Sequence, residues 1–297
     1  FGMAIFYELG LAEQTIYAFS AVPGMESYSE ISGYGIWMTS AAWYFAMWAL
    51  LSVAFVLAGI WLWRKGVEMP LLQRLTSSNH QLNSSGKMTL ILAIAGFLLV
   101  HWKIKNEVNG KGNFVAQHVQ EEDAADYEKK YGYLQELAQP RYNQLNLKFD
   151  FYPENRKATY EAQITLVNVS EKTIDTLALN FANFVTLKHI KLSNGTELSQ
   201  THYDDQHELY LFKLPGTLLP QDSLKLNLVA TKQYLGFSDD QEPQEDLAKN
   251  GAFGHIRDFL PVLGYDYHKA LTQNRLRQDQ GLQKITSRMA TKHNSLA

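Results

Sequence analysis

Thirty-three consecutive residues, Ile31 to Trp63, carry no charged side chain, and the run stops at Arg64-Lys65. Within it lie Trp37, Trp43, Trp48, Trp61 and Trp63, and its polar groups are hydroxyls. A water-soluble helix of that length needs a polar face, and this run has none. A hydrocarbon core of ~30 Å is crossed by roughly 20 apolar residues. One Lys or Arg at the centre would cost about 2.5 to 3.5 kcal/mol to insert, so an uncharged run is what lipid demands. The run therefore predicts a transmembrane helix, and the chain is read as a membrane protein.

The remaining 264 of the 297 residues divide unevenly. Mean hydropathy is slightly negative although the first hundred residues are strongly apolar, so charge is segregated into the later part. The net charge of −3 offers no basic field for nucleic acid. No cysteine is present, which excludes disulfides, thiolate metal sites and a cysteine nucleophile. The chain begins at Phe1 without an initiator Met or a signal-peptide pattern, and is expected to be part of a longer polypeptide.

A second uncharged run, Met88 to Trp102, has 15 residues and covers only about 22 Å as a helix. Lys87, Lys103 and Lys105 can snorkel and extend it, so it reads as a second span. The intervening loop holds Arg64, Lys65, Arg74 and Lys87 against Glu68, whereas the residues before the first span have no Lys or Arg. The positive-inside rule then makes the loop cytoplasmic and everything beyond residue 105 extracytoplasmic. Lys103, Lys105 and Lys111 work against that orientation.

From Asn106 to Gly112 the composition is that of a linker, and Val119 to Ala138 reads as a solvated spacer helix. At Pro140 the period changes to two. Leu145, Leu147, Phe149 and Phe151 alternate with polar residues, and so do Tyr160, Ala162, Ile164 and Leu166. Leu177, Leu179 and Phe181 follow, then Leu187, Ile190 and Leu192, Leu209 and Leu211, and Leu224 to Ala230. Turn residues interrupt the pattern about every dozen positions, as in an antiparallel sandwich with one buried face per sheet.

The expected division has seven parts. Residues 1–35 form an extracytoplasmic segment, in which Phe1 to Tyr7 fits the end of an earlier membrane helix and a frayed terminus equally well. Residues 36–63 are a transmembrane helix, 64–87 a cytoplasmic loop and 88–104 a second transmembrane helix. Residues 105–139 are linker and spacer helix, 140–237 the β domain, and 238–297 an irregular extension.

Residues with chemical potential are few. His207-Glu208 opens like the zinc-binding helix motif, but position 211 is Leu, and the surrounding alternation places the pair on a strand. His202 reads as a loop residue, and His101 beside Trp102 as an interfacial anchor rather than a proton relay. Asp204-Asp205 and Asp239-Asp240 sit in turn-like stretches where carboxylates solvate. No nucleophile elbow, phosphate loop or dinucleotide fingerprint occurs. No residue of the chain is assigned to catalysis, to a cofactor or to a metal.

The β region resembles the N-terminal domain of M1-family zinc aminopeptidases. Tyr142 to Tyr152 (YNQLNLKFDFY) looks like its opening strand, with Tyr160 to Val167, Ile174 to Phe181, Leu187 to Leu192 and Leu224 to Leu228 in the order of the strands that follow. The flanks are more specific. Asp126 to Tyr131, Gln139-Pro140-Arg141, Asn250-Gly251, Pro261 to Tyr265, Arg277 to Leu282 and the Ser32 to Gly35 approach to the first span resemble a bacterial subgroup. In that subgroup the peptidase is fused behind the helices of an ABC-2-type permease. Glu161-Ala162 departs from the pattern, since M1 domains often carry a glycine there.

The resemblance implies a fold of two transmembrane helices followed by an M1-like antiparallel β-sandwich. It implies the role of membrane anchor and non-catalytic domain of a zinc aminopeptidase, located in the bacterial inner membrane with the β domain outside. The zinc ion and peptide substrate belong to a catalytic domain whose His-Glu-x-x-His is not in this chain. Implied partners are the lipid bilayer and an ABC ATPase on loop 64–87. The alternative is an ABC export permease subunit whose β domain is a binding or sensor module without peptidase activity.

Overall fold

The uncharged run folds into one helix, α1 (Trp37–Leu62), of 26 residues or about 39 Å. The computed structural model describes residues 13–25, 28, 30, 33–62, 83–239, 246–248, 251–252 and 254–285. The stretch Phe1 to Tyr7, most of loop 64–87, Asp240 and the residues from 286 onward lie outside the described residues. Two compact units result: Phe1–Phe114 with Leu235–Gly251, and Val115–Tyr234 with Ala252–Ala297.

In the first unit α1 packs against α2 (Ser84–Lys105). The second helix has 22 residues, about 33 Å, and begins four positions before the expected Met88. Its extra turn is polar and serves as a cap: the Asn83 side chain accepts the Gly86 N–H at 2.8 Å. The 15-residue apolar run thus understates the helix that carries it. A π-helical turn, Asn106–Lys111, continues α2. Both helices are long and apolar enough to cross a membrane, and only 11% of the most apolar window of each is buried.

The helices touch where Gly96 faces Leu50; a Cβ there would sit 3.3 Å from the leucine Cδ1. Tyr44, Met47, Ile104, Val108 and Ile16 form the buried core of the unit. Residues 235–239, expected as the end of the β domain and the start of an extension, return instead to the π turn. The Phe237 N–H donates to the Glu107 carbonyl at 3.2 Å, and the Gly112 N–H to the same oxygen at 2.9 Å. Gly236 has φ +70°, and a Cβ on it would lie 2.1 Å from that carbonyl oxygen. Only glycine permits both the conformation and the approach.

The second unit begins with α3 (Gln117–Tyr131), followed by a 3₁₀ turn, Gly132–Gln135. Seven strands follow: β1 (Arg141–Tyr152), β2 (Lys157–Val167), β3 (Ile174–Asn180), β4 (Val185–Leu192), β5 (Ser199–Asp204), β6 (Leu209–Leu218) and β7 (Ser223–Gln233). They pair antiparallel as β1-β2-β7-β4 in one sheet and β3-β6-β5 in the other. Register brings apolar residues face to face, as in Tyr160 opposite Ala230, Ala162 opposite Leu228 and Ile164 opposite Leu226. Because side chains alternate, one face of each sheet turns inward. The void left between Ile164, Leu166, Leu226 and Leu228 on one side and Leu179 and Leu263 on the other is about 10 Å³. It is apolar and at most water-sized.

Two expectations are corrected here. The spacer helix is not solvated: Tyr127, Tyr131 and Leu134 form a core cluster with Ala178, Leu209 and Tyr265. The sequence shows these three on one helical face, which its acidic start obscured. The segment after residue 253 is also integral to the sandwich. Phe259, Leu260, Tyr265 and Leu271 are buried, and a two-residue strand, Val262–Leu263, pairs with Asn180 and Leu179 on the edge of β3. Tyr142 Oη donates to the Pro261 carbonyl at 2.6 Å, and Tyr160 Oη to that of Phe259. A pairing two residues long leaves no alternation to read.

Gly236→Ala is expected to cost the whole chain about 1 to 3 kcal/mol, the range for backbone strain held by surrounding structure. Gly216→Ala, where a Cβ meets nothing within 4 Å, serves as control. Equal melting temperatures for the two variants in detergent would contradict the packing described.

Candidate functional site

Among the described residues of the second unit, ionisable groups gather in the seam between α3, the β5–β6 turn and the segment 264–277. The structure puts His207 and Glu208 on that turn, not on a strand, because the alternation breaks between Asp204 and Leu209. Glu208 adopts φ +48°. The Asp204 carboxylate sets the turn by accepting the N–H of Gln206 at 3.0 Å and of His207 at 3.3 Å. His207 is buried, with its Nε2 3.2 Å from Asp126 Oδ2 on α3. Asp126 is also paired with Lys130 at 2.7 Å.

His202, expected in a loop, lies on β5. Tyr131 Oη donates to Asp204 Oδ2 at 2.6 Å, so the His202 Nε2 at 3.0 Å is left to donate to the tyrosine oxygen. The rings of Tyr127, Tyr131 and His207 meet at centroid distances of 5.5 to 5.8 Å. Tyr127 Oη accepts the Asp266 N–H at 2.8 Å. Burial raises the Tyr127 and Tyr131 hydroxyls well above the ordinary phenol range, so both act as neutral hydrogen-bonding groups.

Two charged residues that sequence reasoning missed hold the C-terminal side. Arg277, on α4 (Asn274–Asp279), forks onto Glu128 of α3 with two bonds of 2.5 Å, and donates to the carbonyls of Gln283 at 2.7 Å and Leu271 at 2.8 Å. Lys269 donates to the Phe181 carbonyl at 2.9 Å and to that of His207. Burial lowers its pKa to about 8, against the opposing pull of Asp266 and Glu208. Burial, with help from the Asp205 carboxylate, raises Glu208 to about 7. No spacing in the sequence links Glu128 to Arg277; only the return of the chain brings them together.

This arrangement is a clasp: most of its polar atoms bond to one another or to backbone, while the buried Asn180 Oδ1 and Tyr265 Oη have no hydrogen-bond partner among the described residues. His101 and Asp239 belong to the first unit. His101 packs against Phe97 and Tyr17 at ring distances of 5.9 and 6.5 Å. Asp239 is buried rather than solvating, and accepts the Thr15 N–H at 3.2 Å and its hydroxyl. Among the described residues no three His, Cys, Asp or Glu side chains are grouped to hold a metal.

No family model matches the chain, and no curated protein does. Among solved structures it is similar to the M1 zinc metallopeptidase from Deinococcus radiodurans, at 12% identity and a TM-score of 0.27, over 32% of this chain and 20% of that one. A two-domain M1 zinc metallopeptidase mutant bound to L-tryptophan gives the same identity and TM-score over 21% of its length. So does a mutant of the Deinococcus radiodurans protein bound to a Tyr-Ser-Ala substrate. The chain spans about a fifth of these proteins. A TM-score of 0.27 carries neither fold nor activity across.

Arg277→Met strands the Glu128 carboxylate in a half-dry site and is expected to cost about 3 to 5 kcal/mol, as breaking buried pairs does. A loss below 1 kcal/mol in chemical denaturation would contradict the pairing. For Glu208 the folded pKa, about 7, lies above its ordinary 4.5. Its stabilising contribution is therefore full below about pH 4.5 and is lost as pH rises through about 7. Glu208→Gln should flatten the fall in melting temperature between pH 5 and 8. Superimposable pH profiles for variant and wild type would contradict this.

Proposed function

We propose that this chain is the membrane anchor and non-catalytic β domain of an M1-family zinc aminopeptidase fused to an ABC-2-type permease. Its helix pair lies in the bacterial inner membrane, and its sandwich stands outside the cytoplasm. The observation that carries the anchor is the exposure of Phe45, Phe55, Val56, Ile91, Leu92, Leu98 and Leu99 along two helices with no charge in their middle. In water that surface would cost about 25 cal/mol for each Å² left uncovered. In lipid it is at home, and the helices close their own backbone hydrogen bonds.

The peptidase and permease assignments draw on the resemblance of Tyr142 to Tyr152, Pro261 to Tyr265 and the flanking segments. Zinc and peptide are then handled by a catalytic domain elsewhere in the parent polypeptide. The β domain walls the substrate cleft, and a cytoplasmic ATPase engages loop 64–87.

Two measurements test this reading. Protease added to intact spheroplasts should degrade the sandwich, while the helix pair stays in the carbonate-washed membrane pellet. A protected sandwich that is cut only after lysis would overturn the topology. The full-length gene product should release amino acids from aminoacyl-anilide substrates and lose that activity to a zinc chelator. Full-length protein inert towards every aminoacyl-anilide would overturn the peptidase assignment and leave the anchor standing.

A further inference from the structure

One end of the helix pair carries a collar of cations and exposed aromatics. Lys103 and Lys105 lie in the last turn of α2, and Lys111 ends the π turn. Glu107, 6% exposed, receives Lys103 at 2.6 Å and Lys111 at 2.7 Å, which fixes both ammonium groups in place. Lys103 also stands 5.6 Å over the Trp43 ring. Lys105 is not drawn to Glu107; its Nζ is 3.5 Å from Tyr17 Oη. Just below, Trp102 is 66% exposed, and Phe19, 59% exposed, meets Trp48 edge-on at 5.4 Å.

We propose that this collar binds the headgroups of anionic phospholipid. The inference rests on the anchor reading above. Charge complementarity names the occupant. Lys103, Lys105 and Lys111 share one carboxylate, Glu107, so this cluster keeps a net positive charge, while among the described residues Asp239 bonds Thr15 and Glu13 is engaged within the fold. The lysine ammonium groups keep N–H bonds for an outside acceptor, since each has three donors. Lys105 and Tyr17 set a cation beside a hydroxyl, a pair that suits a phosphate oxygen. Exposed Trp rings beside cations, directly above lipid-facing Leu98 and Leu99, match the depth at which headgroups meet acyl chains. The same geometry accounts for three lysines on a side where orientation rules expect few: they hold lipid.

The whole chain is reconstituted into vesicles of phosphatidylcholine alone or mixed with phosphatidylglycerol, and the lipids retained after detergent extraction are measured by native mass spectrometry. Wild type should retain phosphatidylglycerol preferentially. Lys105→Gln should reduce that preference about fivefold, the worth of one lysine at an anionic surface. It leaves the Glu107 clamp intact, so loss of folding is not its readout. Tyr17→Phe should reduce it less, and inorganic phosphate added at constant, about physiological, ionic strength should not displace the lipid. Equal retention of both lipids by a chain that inserts into both vesicles overturns the collar while the anchor stands. Displacement by phosphate also overturns it, showing a free-anion site. A chain that enters neither vesicle overturns the anchor reading itself.

Discussion

Everything in the first unit depends on where a backbone can hide its polar groups when its side chains offer water nothing. From Trp37 to Leu62, and again from Ser84 to Lys105, the helix closes its own hydrogen bonds and turns apolar side chains outward. The remaining features of the unit follow from ending those helices. Asn83 caps the start of α2, and the π turn Asn106–Lys111 stops it with a buried glutamate held by two lysines. The returning segment at Gly236 lies close enough to the Glu107 carbonyl that a Cβ has no room.

The second unit is built differently. Its strands bury one face and wet the other, and an apolar void of about 10 Å³ lies among the side chains between the sheets. What keeps that sandwich shut at one end is not more strand but a seam of polar contacts. Tyr127, Tyr131, His202, Asp204 and His207 satisfy one another where α3 crosses, and Arg277 and Lys269 tie the later segment to helix and turn. Such buried networks are costly when half satisfied, which explains why so many of their atoms find partners. The seam therefore ties α3 and the later segment to the sheets.

Legibility in the sequence followed the range of the interaction. The helix α1 was readable because its long run has no charge at all, and β1 to β4, β6 and β7 because the pleat imposes a period of two; β5 was not, and His202 on it reads as a loop residue. The start of α2 was not, since Ser84 to Lys87 are polar and act by capping rather than by partition. The burial of α3 was missed because Glu121, Glu122 and Asp123 dominate its opening, while Tyr127, Tyr131 and Leu134 mark the buried face in only three positions. His207 was placed on a strand because a four-residue turn between β5 and β6 barely disturbs an alternating pattern. The Glu128 to Arg277 pair, 149 positions apart, leaves no local signature at all.

All six tryptophans, Trp37, Trp43, Trp48, Trp61, Trp63 and Trp102, fall between residues 37 and 102, so indole fluorescence reports on the first unit and not on the sandwich. The most direct test of immersion in lipid is therefore quenching of that emission by phospholipids brominated along their acyl chains. The account predicts strong quenching by bromines in the chains and weak quenching by aqueous iodide. Emission indifferent to brominated lipid yet quenched by iodide would contradict it.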